Sequence, residues 1–122
     1  MTPEAILFAP SGLIAFPAAW ELQRRLVAAR QAGRIPDVLI LLQHPPVLTV
    51  GRSGDRDHLL ISRDLLRRRG VEVYDIERGG SVTYHGPGQI VAYPILDLRA
   101  LDEDVVAFMR ALEESIIRTV GD

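Results

Sequence analysis

The run Val38-Leu39-Ile40-Leu41-Leu42 constrains the fold more than any other stretch of the chain. A continuous apolar segment of strand length predicts a strand buried on both faces, because neither face carries a side chain that prefers water. Such a strand requires covering layers, and the flanking segments supply candidates. Ala5 to Phe8 predicts a short strand. From Pro17 onward, Trp20, Leu22, Leu26, Val27 and Ala29 fall mostly at helical spacing, with Pro17 suited to a first turn and Gly33 to a C-terminal cap. His44-Pro45-Pro46 breaks the central run, and Val47 to Val50 resumes as a strand before Gly51. Ser62 is a candidate N-cap for a short helix through Leu65 and Leu66, ended by Gly70.

Val71, Val73 and Asp75 alternate with Glu72, Tyr74 and Ile76, which predicts a strand leading into a glycine-rich loop. Gln89 to Asp97 predicts the next strand, and its Pro94 calls for an edge position or a bulge. The last element is the clearest helix: Val105, Phe108, Met109, Leu112, Ile116 and Val120 form one apolar stripe. Asp102, Glu103 and Asp104 suit its positive N-terminal end, and Gly121 is a natural stop. Strands and helices mix without strict alternation. The expected fold class is therefore α+β, a mixed β-sheet flanked by helices, rather than a doubly wound nucleotide fold.

Composition narrows the function. A length of 122 residues suits one domain, and 48% hydrophobic with 25% charged residues describes a globular chain, not a disordered or fibrous one. A net charge of −2 gives no strong field toward nucleic acid or an anionic membrane. The stretch from Met1 to Trp20 carries Glu4 and is broken by Pro3, Pro10 and Pro17, so it reads as neither a signal peptide nor a membrane span; the expected location is the cytoplasm. All 14 cationic residues are arginine. With neither lysine nor cysteine, the chain has no ammonium clamp, Schiff-base former, thiol nucleophile or disulfide.

Four glycines, Gly79, Gly80, Gly86 and Gly88, fall within ten residues. Glycine lets backbone approach a ligand closely, and Val82, Thr83 and Tyr84 between the pairs can form a pleated piece with alternate side chains facing a pocket. A β-hairpin with a glycine-rich turn accounts for the same composition. A phosphate loop is excluded because its lysine is missing, and Gly86-Pro87-Gly88 does not open a helix as a dinucleotide fingerprint would. His44, His58 and His85 lie far apart in sequence, with no helical pair and no cysteine, so no metal site is expected.

Taken whole, Arg78-Gly79-Gly80-Ser81-Val82-Thr83-Tyr84-His85-Gly86-Pro87-Gly88-Gln89, followed by Ile90-Val91-Ala92-Tyr93-Pro94-Ile95, resembles the signature of the lipoyl(octanoyl) transferases. Trp20 and Gln23, Pro36, His44-Pro45-Pro46-Val47, Thr49-Val50-Gly51-Arg52, and Glu113 with Glu114 match in the same order. Gln43 departs from the glutamate common at that position.

The resemblance implies the fold of the biotin and lipoate ligases (class II synthetase-like), here incomplete. It also implies transfer of an octanoyl group from octanoyl-acyl carrier protein, without a cofactor. The acceptor would be a lysine on lipoyl domains of oxoacid dehydrogenases or on the glycine-cleavage H protein.

Carried onto this chain, the substrate-binding stretch is Arg78, Gly79, Gly80, Ser81, Val82, Thr83, Tyr84 and His85. Val82 and Tyr84, or Thr83 from the other face, would line the acyl pocket, and His85 would donate to or orient the thioester carbonyl. Arg78 is alternatively an ion-pair partner of Asp75 or Glu77, and His44 a structural histidine. The family's catalytic cysteine and lysine follow the final helix, so residues 1–122 read as the N-terminal portion of one catalytic domain. A truncated chain, half of a split enzyme, and a non-catalytic acyl- or carrier-binding relative all fit; an ATP-dependent ligase of the same fold is the competing enzyme class. The arginines at 24, 25, 67, 68 and 69 could meet an acidic carrier protein or simply form solvated faces.

Overall fold

A computed structural model describes residues 4–53 and 59–121; His58 lies outside the described residues. Two three-stranded sheets form the body. In the first, β1 (Ala5–Phe8) runs parallel to β2 (Asp37–Leu42), and β2 pairs antiparallel with β6 (Val91–Ile95). In the second, β3 (Val47–Val50) is central, parallel to β4 (Glu72–Asp75) and antiparallel to β5 (Val82–His85). Both sheets are mixed, and the fold is α+β as expected. The anticipated single sheet is two sheets, because His44-Pro45-Pro46 carries the chain from β2 to β3 and Gly86-Pro87-Gly88 carries it from β5 to β6. Proline cannot donate to a ladder, so neither strand pair continues through its proline turn. Pro94, opposite Leu39, sits on β6 at an edge of the three-strand order, where a missing N–H costs no ladder bond on the open side.

Helix α1 (Phe16–Gln31) covers one face of the first sheet: Ala19 packs with Val38, Ile40, Leu42 and Ile95, and Leu22 and Leu26 close the margin. The β2 run departs from expectation here. Val38, Ile40 and Leu42 are buried, but Leu39 and Leu41 on the opposite face are half-buried, since no described helix lies over them. Arg30, in the last turn of α1, ties the layers together by reaching Asp37 at 2.8 Å and Asp97 at 3.4 Å. Beneath the second sheet, Leu66 of α2 (Arg63–Arg68) packs on Val50 and Val73.

Ser62 caps α2 as its position predicts, its hydroxyl oxygen accepting from the Leu65 amide at 3.2 Å. Ser62→Ala is expected to lower stability by about 1 kcal/mol, read as a lower urea midpoint at unchanged slope. Ser62→Asp should restore most of that loss.

Helix α3 (Val105–Gly121) starts where Asp104 accepts from the Ala107 amide at 3.0 Å. None of its residues is buried: Val105, Ile116 and Val120 of the predicted stripe are 59%, 62% and 79% exposed.

Candidate functional site

The glycine loop is organised by backbone rather than by charge. Residues Arg78 to Ser81 fold over the segment that leaves β3: the Gly51 amide donates to the Ser81 carbonyl at 2.5 Å, Arg52 to Arg78 at 2.9 Å, and Ser53 to Gly80 at 3.0 Å. Gly51 is the close approach. A Cβ there would lie 2.5 Å from the Gly80 carbonyl oxygen and 2.8 Å from that of Arg78. The Arg78 guanidinium holds the same crossing, donating to the carbonyls of Gly79 at 2.7 Å, Thr49 at 3.0 Å and Ser81 at 3.2 Å. The ion-pair alternative for Arg78 fails, because Asp75 is held by Arg63 at 2.8 and 3.0 Å and no described carboxylate pairs with Arg78. The hairpin alternative fails too: β4 and β5 flank the loop but pair with opposite edges of β3, not with each other.

The register of β5 separates its side chains. Thr83 and His85 lie opposite Thr49 and Val47, while Val82 and Tyr84 lie opposite Val50 and Leu48. With a period of two, each set shares one face. Val82 packs into the Val50, Leu66 and Val73 cluster on the α2 side, and Tyr84 is 52% exposed with its phenol lying across Gly86. The other face, carrying His85, borders a cavity of about 360 Å³ between α1 and the two sheets. Phe16, Trp20 and Tyr93 supply aromatic walls, Thr49 and Ile76 part of the floor, and Gln23, Glu77, Arg78 and His85 the polar lining. Of the expected substrate-binding residues, Arg78 and His85 line this cavity; Gly79, Gly80 and Ser81 belong to the loop that holds Arg78 in place.

Sequence reasoning did not place Phe16, Ile76 or Glu77 at the site. Phe16 precedes the helical pattern by one residue, and only the packing of α1 on both sheets brings it beside Trp20, at 5.7 Å between rings, and Tyr74, at 5.4 Å. His44 and His85, far apart in sequence, have ring centroids 5.9 Å apart. No group of three or more possible metal ligands occurs among the described residues.

His44 is fully buried, and both its ring nitrogens are taken: Nδ1 lies 2.7 Å from the Ile14 carbonyl and Nε2 lies 2.7 Å from the Tyr93 hydroxyl. A carbonyl only accepts, so Nδ1 carries the proton and Nε2 accepts from Tyr93. Burial pushes the His44 pKa below its ordinary value, against the opposing Ile14 hydrogen bond, and the nearby His85 lowers it further. Burial also pushes the Tyr93 phenol up to about 12, so it remains a donor. Through these two bonds His44 joins the turn after β2 to Ile14 and to β6. His85 is partly buried, with Nδ1 2.9 Å from Gln89 Oε1.

The chain matches the family described as lipoyl protein ligase A/B catalytic domain over residues 16–122. It is 51% identical over 118 residues to an octanoyltransferase of Acidobacterium capsulatum, covering 91% of this chain and 48% of that protein. An octanoyltransferase of Solibacter usitatus is 51% identical over 111 residues, covering 91% of this chain and 50% of that protein. The chain thus spans about half the length of these curated relatives. Among solved structures, P. falciparum LipL1 in complex with lipoate superposes with a TM-score of 0.48 at 18% identity, over 71% of this chain and 29% of that one. With the family match running from the first residue of α1 to the end of the chain, this protein belongs to the lipoyl protein ligase A/B catalytic domain family.

Proposed function

We propose that this chain supplies the acyl-binding part of an octanoyltransferase, in which the aromatic cavity beside His85 receives the octanoyl chain. The reaction is transfer from octanoyl-acyl carrier protein to a lysine of lipoyl domains, in oxoacid dehydrogenases or the glycine-cleavage H protein, in the cytoplasm. The observation that carries this reading is the cavity itself. At about 360 Å³ it falls in the size range of small-ligand sites, and its aromatic walls end at a small set of convergent polar groups. An octanoyl chain suits that division, with its hydrocarbon on Phe16, Trp20 and Tyr93 and its carbonyl end toward the polar lining at Arg78.

Residues 1–122 are the N-terminal portion of the catalytic domain in this reading. With no cysteine and no lysine, this portion binds the acyl group without bonding to it. Thiolate and ammonium then come from the remaining half of the family's domain. Arg24, stacked at 4.3 Å over the Trp20 ring, and the exposed Arg25 beside it form a basic margin suited to an acidic carrier protein.

Trp20 is the single tryptophan of the chain and lines the cavity, so its fluorescence reports occupancy. Titration with octanoate is expected to give a saturable change, while intact mass after incubation with octanoyl-acyl carrier protein shows no adduct. An unresponsive Trp20, or a stable covalent adduct, overturns the reading. Lipoate-dependent ATP–pyrophosphate exchange would instead support the ligase class.

A further inference from the structure

We propose that His85 meets the attacking amine of the acceptor, not the acyl carbonyl, by presenting an unprotonated Nε2 to the cavity. The inference rests on the acyl-transfer reading above and assigns a polarity within that site. It starts from Gln89. His85 Nδ1 is 2.9 Å from the Gln89 amide oxygen, which can only accept, so the neutral imidazole carries its proton on Nδ1 and its lone pair on Nε2.

The turn that places Gln89 is itself pinned. The Gly88 amide donates to Gln43 Oε1 at 2.8 Å, and the Gln89 amide donates to the Gly86 carbonyl at 3.1 Å. Gln43 therefore acts as a positioning residue. A glutamate at position 43 would present the same acceptor to Gly88, which gives the departure at this position a physical reading.

None of the other ring or guanidinium groups around His85 is a free proton acceptor. His44 has both nitrogens engaged and is held neutral by burial, Tyr93 spends its hydrogen on His44, and Arg78 is a donor, its two terminal nitrogens on backbone carbonyls and its buried Nε unpaired among the described residues. Glu77 lines the same cavity but is exposed to solvent. Among the described residues, nothing bonds Nε2 of His85.

In the transfer step the acceptor nitrogen bonds to the carbonyl carbon of the acyl thioester. The carbon–sulfur bond breaks with its electron pair remaining on sulfur, and the proton leaving nitrogen passes to Nε2. A base so placed is within the ordinary repertoire of histidine.

Long-range 1H–15N NMR on the histidine-labelled chain tests this at pH 8. His85 is expected as the Nδ1–H tautomer in the wild-type chain and in Gln89→Glu, which keeps an acceptor. Gln89→Leu should lose that tautomer at His85 while leaving His44 unchanged. Octylammonium, an N–H donor with the right chain, should move the His85 Nε2 resonance, and S-octanoyl-N-acetylcysteamine should not. An Nε2–H tautomer in the wild type, or a response of Nε2 to the thioester alone, overturns the proposal. If Trp20 responds to both probes and His85 to neither, this inference fails by itself. If Trp20 responds to neither, the acyl-cavity reading fails and takes this inference with it.

Discussion

Gly51→Ala is expected to lower the unfolding free energy by about 3–5 kcal/mol, from overpacking of about 1–3 kcal/mol and the loss of hydrogen bonds of about 1 kcal/mol each. The new methyl would sit against backbone carbonyls of Gly80, Arg78 and Gly79, at 2.5, 2.8 and 3.1 Å, and backbone cannot rotate away as a side-chain tip can. Relief requires the two crossing segments to separate. That breaks the bonds from Gly51 to Ser81 and from Arg52 to Arg78, and it releases the carbonyls that orient Arg78 at the cavity. A change this large is a substantial fraction of a domain's whole stability. Urea denaturation reads it as a lowered midpoint, and the Trp20 response to octanoate should weaken in the same variant. Gly79→Ala is the control: a Cβ there meets nothing within 4 Å, so its midpoint should stay near that of the parent. Equal midpoints for Gly51→Ala and the parent would mean that the loops do not interlock as described.

His44→Leu should cost about 2–4 kcal/mol at pH 7, because it leaves both the Ile14 carbonyl and the Tyr93 hydroxyl without the partner each has at 2.7 Å. It should also alter the pH dependence of stability. The folded-state pKa of His44 lies below the ordinary value of 6.5, so the unfolded chain takes up a proton that the folded chain resists. Stability from this group is present above pH 6.5 and is lost as the pH falls below it, with a limiting slope of about 1.4 kcal/mol per pH unit. The carboxylates of Asp75 and Asp97 are depressed from 3.8 by hydrogen bonds from Arg63 and Arg99, so their losses begin at lower pH. Between pH 7 and 5 the wild-type chain should therefore lose stability faster than His44→Leu. Parallel pH profiles from urea unfolding would rule out this role.

Much of the local structure was legible in the sequence because its determinants are local. Pro17, Ser62 and Asp104 start helices by supplying a preset φ or a side-chain acceptor within one turn, and the periodicity of Val71 to Ile76 places β4. Pro94 announced its edge position because its missing N–H is a property of the residue alone. The ordered motif from Arg78 to Gln89 pointed to the family for the same reason, being contiguous. The division of the strands into two sheets was not legible, since strand pairing joins segments separated by long stretches of chain.

What the sequence by itself determined was the element order, the family, and that these 122 residues carry neither lysine nor cysteine. The tertiary structure decided how those elements make a site. Packing of α1 against both sheets brought Phe16 and Trp20 to the cavity that His85 lines, and the pairing of β3 with β5 set His44 5.9 Å from a second histidine. The β5 register turned Val82 into core and His85 into cavity wall, a choice that a one-residue slip would reverse. Arg78, a charged residue that could have been an ion-pair partner, became the clamp of a backbone crossing because its Asp75 alternative was already held by Arg63. Each of these outcomes depends on distances between residues remote in sequence, which residue types and spacing do not encode.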